Sequence, residues 1–167
     1  MNAAPWSSET AILLALIIPA VVAIGIDLTG RRPNLRESVT LAGAVLLWIV
    51  VATLTPAVLG GARPSLTLAE FVPGVTLAFQ IEPLGMLFAL VASTLWPIAS
   101  LYSIGYMRGN HEHAQTRFYI CFAIAIAAAM GMAFSANLLT LFIFYEVLTL
   151  STYPLVTHNE DEEARMG

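Results

Sequence analysis

Lysine does not occur in this chain of 167 residues, and all seven of its cations are arginines. Charged residues of both signs make up 11% of it, against about 25% in a soluble domain. With 58% hydrophobic residues and a mean hydropathy of +0.80, that scarcity excludes an ordinary water-soluble domain and points to lipid as the solvent. There is one cysteine, Cys121, so no internal disulfide can form. It lies in an apolar stretch and reads as a small core side chain. The first ten residues hold no Lys or Arg, so the first apolar run lacks the basic start of a secretory signal and reads as a retained helix. No Gly-rich phosphate loop, basic–aromatic stripe or Ser/His/Asp constellation is present, which leaves nucleotides, nucleic acid and hydrolytic chemistry without support. His111-Glu112-His113 has two imidazoles but no third ligand nearby and reads as a polar loop. No metal or cofactor is expected.

What is present is a series of long apolar runs. A helix needs about 20 residues to cross some 30 Å of hydrocarbon. Five spans meet that length, at about 10–28, 38–58, 83–107, 117–134 and 137–157, and they predict an all-α integral membrane protein. The last two come from one stretch of about 40 residues, broken at Ser135-Ala136-Asn137 because Ser and Asn favour turns and caps. Glu82 followed by Pro83 is a favourable start for the third helix. Arg31, Arg32 and Arg36 lie in the first loop, and Arg108 and Arg117 in the third; the second has Arg63 alone. The positive-inside rule then places the N-terminus outside and the C-terminus in the cytoplasm. In the second, external loop, alternating apolar residues on either side of Pro73-Gly74 (Leu66 and Leu68, then Val75, Leu77, Phe79 and Ile81) predict a short β-hairpin with a type II turn. The chain reads as a single transmembrane domain over 1–157 followed by an acidic cytoplasmic tail at 158–167.

One carboxylate interrupts this pattern. Glu146 stands in the fifth span with no charged residue between Phe118 and Tyr145 or between Val147 and Asn159. A charge at the bilayer centre costs roughly 2.5–3.5 kcal/mol on insertion scales, so such a group is a functional candidate by default. It follows Asn137 by nine residues, about 13–14 Å of helix at 1.5 Å per residue, and so sits near mid-membrane. At about 100° per residue, Thr149 and Tyr153 fall on the same face and supply hydroxyls toward the cytoplasmic end. Pro154 frees the carbonyl of Leu150, one turn earlier, and such freed carbonyls often line polar cavities in membranes. Low-dielectric surroundings favour the neutral form of a carboxyl group and a nearby cation favours the ionised form. A carboxyl poised between the two influences is suited to proton relay. Apart from Arg117 at the very start of the fourth, the spans hold no Lys or Arg to act as that cation. The blander alternative is a neutral Glu146 that hydrogen-bonds between helices.

The block Ala136-Asn-Leu-Leu-Thr-Leu-Phe-Ile-Phe-Tyr-Glu146-Val-Leu-Thr-Leu-Ser-Thr-Tyr-Pro-Leu-Val156 resembles the fifth transmembrane helix of antiporter-like subunits. These belong to multisubunit (Mrp-type) cation/proton antiporters, respiratory complex I and membrane-bound hydrogenases. The form Phe-Tyr-Glu-Val-Leu-Thr-Leu-Ser-Thr-Tyr-Pro-Leu-Val looks most like the D subunit of the Mrp type. Tyr102-Ser-Ile-Gly-Tyr-Met107 and Arg117-Phe-Tyr119 agree with it, and the resemblance extends well over 82–157. It implies that Glu146 pairs with a lysine on a later helix, and that the spans are the first three helices plus the first two of an inverted repeat. It also implies the N-terminal part of a longer subunit, truncated or split, in a bacterial inner membrane. The expected function is then proton conduction or monovalent cation/proton antiport, with Glu146 as relay and Thr149 and Tyr153 as supporting polar face. Expected partners are the bilayer, other subunits of a complex (one supplying the missing lysine), protons, and sodium or potassium. Two alternatives remain: a proton-translocating subunit of a complex I-like oxidoreductase or hydrogenase, with redox chemistry carried by other subunits, and a non-transporting scaffold or inactive fragment.

Overall fold

The computed structural model describes residues 7–110 and 114–156, with no side-chain description at Val72 and Val156. The histidine pair at 111 and 113 and the acidic tail at 158–167 lie outside the described residues. The elements are α1 (Ser8–Thr29), α2 (Pro33–Leu59), β1 (Ser65–Val72), β2 (Val75–Gln80), α3 (Pro83–Gly109), α4 (Gln115–Ala133) and α5 (Leu138–Val156). All five helices are long and apolar enough to cross a membrane. The chain is a multi-pass membrane protein.

Local chemistry sets most helix ends. The Ser7 hydroxyl accepts from the backbone N–H of Thr10 and caps α1. Proline occupies the first turn of both α2 and α3, where its missing N–H costs nothing. Glu82 is the N-cap residue of α3 as its sequence suggests, but its carboxylate does not bond the helix. It pairs with Arg63 at 3.0 Å instead. The start of α2 differs from the expected 38: Pro33 begins it, and so Arg36 and Glu37 belong to the helix rather than to a loop.

The helices alternate in direction. α1 packs between α2 and α4, α3 leans on α2 and α4, and α5 packs chiefly on α4. The core runs through Ile12, Ile26, Leu47, Val51, Trp96 and Phe134. Among lipid tails, close packing rather than a hydrophobic driving force associates helices, and α4 accordingly buries Ala123, Ala125, Ala128 and Gly131.

The hairpin forms as predicted. Strands β1 and β2 pair antiparallel, with Val72 opposite Val75 across the turn. Gly74 has φ +86°, the value the third position of a type II turn requires. Two bulges break the simple alternation of β1. Leu68 and Phe71 are the extra residues, and both are exposed instead of sharing the inner face with Leu66. The inner side of the segment is Phe79 and Ile81, both fully buried.

The hairpin also braces the α4–α5 break. Gln80 N–H donates to the Phe134 carbonyl at 2.7 Å and Ala136 N–H to the Ala78 carbonyl at 3.0 Å. The turn at 134–137 thus behaves as a short third strand on β2, with Phe79 bridged to Ser135.

Candidate functional site

The fifth helix is positioned from its first residue. Asn137 accepts the Thr140 N–H on its Oδ1 at 2.8 Å, an N-cap bond. The Thr140 hydroxyl in turn accepts the Ala78 N–H at 3.1 Å. Helix phase and depth are thereby fixed against the hairpin. Along the inner side of α5, Thr140 and Ser151 are buried, and the Phe144 ring lies where a side chain at Gly131 of α4 would stand. Phe144 also meets Phe79 edge to face, centroids 5.6 Å apart.

Glu146 stands two residues beyond Phe144, about 200° around the helix, and so points away from α4. It is exposed, as are Thr149 and Tyr153, so the structure puts the three sequence-predicted residues on one open face. Phe142, Tyr145 and Leu150 share that side and are exposed as well. Only 11% of the apolar stretch of α5 is buried, against 28–44% for the first three helices. Among the described helices α5 is thus the least covered. Among the described residues none donates a hydrogen bond or an ion pair to Glu146.

The hydroxyls behave differently from one another. Thr149 donates to the Tyr145 carbonyl at 3.0 Å, which leaves its oxygen able to accept but not to donate outward. Thr152 donates to Leu148 and Thr149 carbonyls, and Ser151 to Leu148. Pro154 lies inside the helix, so the Leu150 carbonyl lacks its ordinary donor on the face next to Glu146. The face thus offers an ionisable carboxyl, acceptor oxygens and an aromatic hydroxyl.

A second polar constellation was not anticipated. At the opposite end of the bundle from the hairpin, Arg108 of α3 donates twice to Glu37 of α2, Nε–Oε1 2.9 Å and Nη2–Oε2 2.5 Å. Arg108 also reaches Asn34 at 2.6 Å. Arg36 lies 3.7 Å from the same carboxylate. It donates to Gln115 at 2.8 Å and Thr116 at 3.1 Å on α4 and covers the Tyr119 ring at 5.2 Å. Arg36 and Glu37 are 4% and 6% exposed, so this is a buried charge network. The sequence signal that could have found it is Pro33: a proline at the first helical position moves the start of α2 back and carries both charges inside.

Comparison with known proteins adds to this geometry. Residues 72–119 match the family model described as "NADH-Ubiquinone oxidoreductase (complex I), chain 5 N-terminus". That segment holds β2, α3 and the start of α4 and ends before Glu146. The chain is 27% identical over 156 residues to Na(+)/H(+) antiporter subunit A1 of Staphylococcus aureus, and likewise to that subunit from strain JH9. Each match covers 90% of this chain and 19% of the relative, so the chain spans about a fifth of the length of the curated relatives it matches. Among solved structures, its fold matches a chain of the membrane-bound sulfane sulfur reductase, an archaeal respiratory membrane complex. The TM-score is 0.82 at 19% identity, covering 95% of this chain and 32% of that one. The likeness to the antiporter subunit runs over nearly the whole of this chain, and the likeness to the reductase chain is one of fold.

Proposed function

We propose that this antiporter-like chain is the N-terminal part of a proton-conducting or monovalent cation/proton antiporter subunit, in which Glu146 relays protons through the membrane. The observation that carries this reading is the position of Glu146: near mid-depth on a helix face that the described residues leave uncovered. Lipid is a poor neighbour for a carboxyl group. A further polypeptide surface that carries a cation, a lysine or an arginine, suits that face. Proton transfer would follow from approach and withdrawal of the cation, which alternately favours the ionised and the neutral carboxyl. Thr149, Tyr153 and the Leu150 carbonyl would hold water on the same face.

The proposal includes the topology. Among the described residues, Arg31, Arg32, Arg36, Arg108 and Arg117 lie at the end away from the hairpin, and Arg63 alone lies beside it. This supports a cytoplasmic position for the arginine-rich end and an external hairpin. The transmembrane unit would be residues 1–157, combining three helices with the first two of an antiporter-like repeat. The transported ion would be a proton, exchanged for sodium or potassium in the antiporter setting. The family description of the 72–119 segment favours a second setting. In a complex I-like assembly, the same relay would serve redox reactions carried by other subunits.

The test is Glu146→Gln in the assembled complex. Glutamine keeps shape and hydrogen bonding but cannot ionise, so proton-coupled transport into vesicles should fall at least tenfold with subunit composition unchanged. Undiminished transport would reject the relay. A scaffold role instead predicts that Glu146→Ala, and not Glu146→Gln, loosens subunit association.

A further inference from the structure

On the hairpin side, the end of α2 and the start of α3 separate to leave a lateral cleft of about 340 Å³. Its walls include Val58 and Leu59 of α2 and Met86, Leu87 and Leu90 of α3, and Arg63 stands among its lining residues. Leu59 and Leu87 are 82% and 58% exposed, so the cleft opens sideways, toward lipid. One turn beyond Leu90, the Trp48 indole N–H donates to the Thr94 hydroxyl at 3.2 Å and ties the two helices together again. The volume lies at the lower end of small-ligand clefts.

The mouth carries both signs of charge. Arg63 Nε lies 3.0 Å from Glu82 Oε2, and the side chains are 38% and 55% exposed. Arg63 spends one further donor on the Ala62 carbonyl, and Glu82 accepts one bond from Gln80. A guanidinium has five donors and a carboxylate about four acceptor sites. Both groups therefore retain free capacity beside an apolar cleft, at the helix ends where headgroups lie.

The geometry points to a bound phospholipid with a phosphoethanolamine headgroup. Its phosphate would add to Arg63, its ammonium to Glu82, and an acyl chain would run along Val58, Met86, Leu87 and Leu90. An anionic headgroup without an ammonium would meet Glu82 as a like charge. Choline supplies a positive charge but no N–H donor, so Glu82 distinguishes the two zwitterions.

The experiment is native mass spectrometry of the chain in detergent, exposed in turn to phosphatidylethanolamine, phosphatidylcholine and phosphatidylglycerol of one acyl composition. One phosphatidylethanolamine should be retained at least fivefold over the other two. Arg63→Ala should abolish the preference. Glu82→Gln frees the guanidinium and should turn the preference toward phosphatidylglycerol. Leu90→Trp fills the cleft and should lower retention of all three. Equal retention of the three lipids by the unaltered chain, or an unchanged preference in both charge variants, would mean annular lipid only and overturn the proposal.

Discussion

Asn137 donates its side-chain N–H to the Thr76 carbonyl at 2.8 Å. The same amide group caps α5 through Thr140. One residue thus joins the hairpin to the helix that carries Glu146. The start of that helix is held by a contact between segments some sixty residues apart in the chain.

Replacing Asn137 with alanine should release both bonds. Losing a cap costs about 1 kcal/mol, and a partly buried carbonyl left without its donor costs about 1–3 kcal/mol more. Amide exchange at 138–141 should accelerate, and the unfolding midpoint in detergent should drop. An unchanged exchange profile would show that the remaining hairpin contacts suffice.

The buried network predicts an asymmetry between its members. Glu37 is shared by two arginines and its side chain is 8% exposed, whereas the Arg108 side chain is 49% exposed. Glu37→Gln leaves Arg36 and Arg108 facing each other without a counter-charge. Removing the carboxylate charge leaves the buried Arg36 guanidinium unpaired, so the unfolding midpoint should fall. Arg108→Gln should cost less, because Glu37 keeps Arg36. Thermal unfolding of the two variants side by side decides the order.

Two glycines of α3 should respond in opposite senses to alanine. A Cβ at Gly85 would run into the Ala133 backbone carbonyl, which cannot swing aside, so Gly85→Ala should force α3 from α4 and destabilise by about 1–3 kcal/mol. A Cβ at Gly105 meets nothing within 4 Å. Gly105→Ala should stabilise by up to about 1 kcal/mol through helix propensity alone. Unfolding midpoints of the pair provide the check.

The open face of α5 can be mapped by labelling. On a Cys121→Ser background, cysteines at 146 and 149 should react with maleimide in detergent at least tenfold faster than one at the buried Ser151. Within the assembled complex, labelling at 146 should be suppressed if another polypeptide covers the face. Persistent labelling there would count against the proposed partner.

Topology has its own test. Phe71→Cys at the exposed hairpin should label from outside intact cells with an impermeant reagent. Arg31→Cys should label only after permeabilisation. The reverse pattern would invert the proposed orientation.

Five helices, the hairpin with its Pro73-Gly74 turn and the break at Ser135-Ala136-Asn137 were legible in the sequence. Each depends on local matters: the length of an apolar run, the φ that a glycine permits, 1.5 Å of rise per residue. Beyond reach were the burial of Arg36 and Glu37, the bulges that turn Leu68 and Phe71 outward, and the carboxylate of Glu82 turning to Arg63. Each of these depends on a partner remote in sequence, and hydropathy alone assigns a charged pair at a span boundary to water.

The sequence by itself determined five apolar runs of membrane-spanning length and one carboxylate midway along the fifth. Only the tertiary structure decided which way that carboxylate faces. Phe144 and Thr140 seat α5 on α4 and β2, and helical phase then directs Glu146, Thr149 and Tyr153 outward. Which face a membrane helix buries depends on which neighbour fits its small residues and aromatic rings, and that complementarity resides in pairs of helices rather than in one.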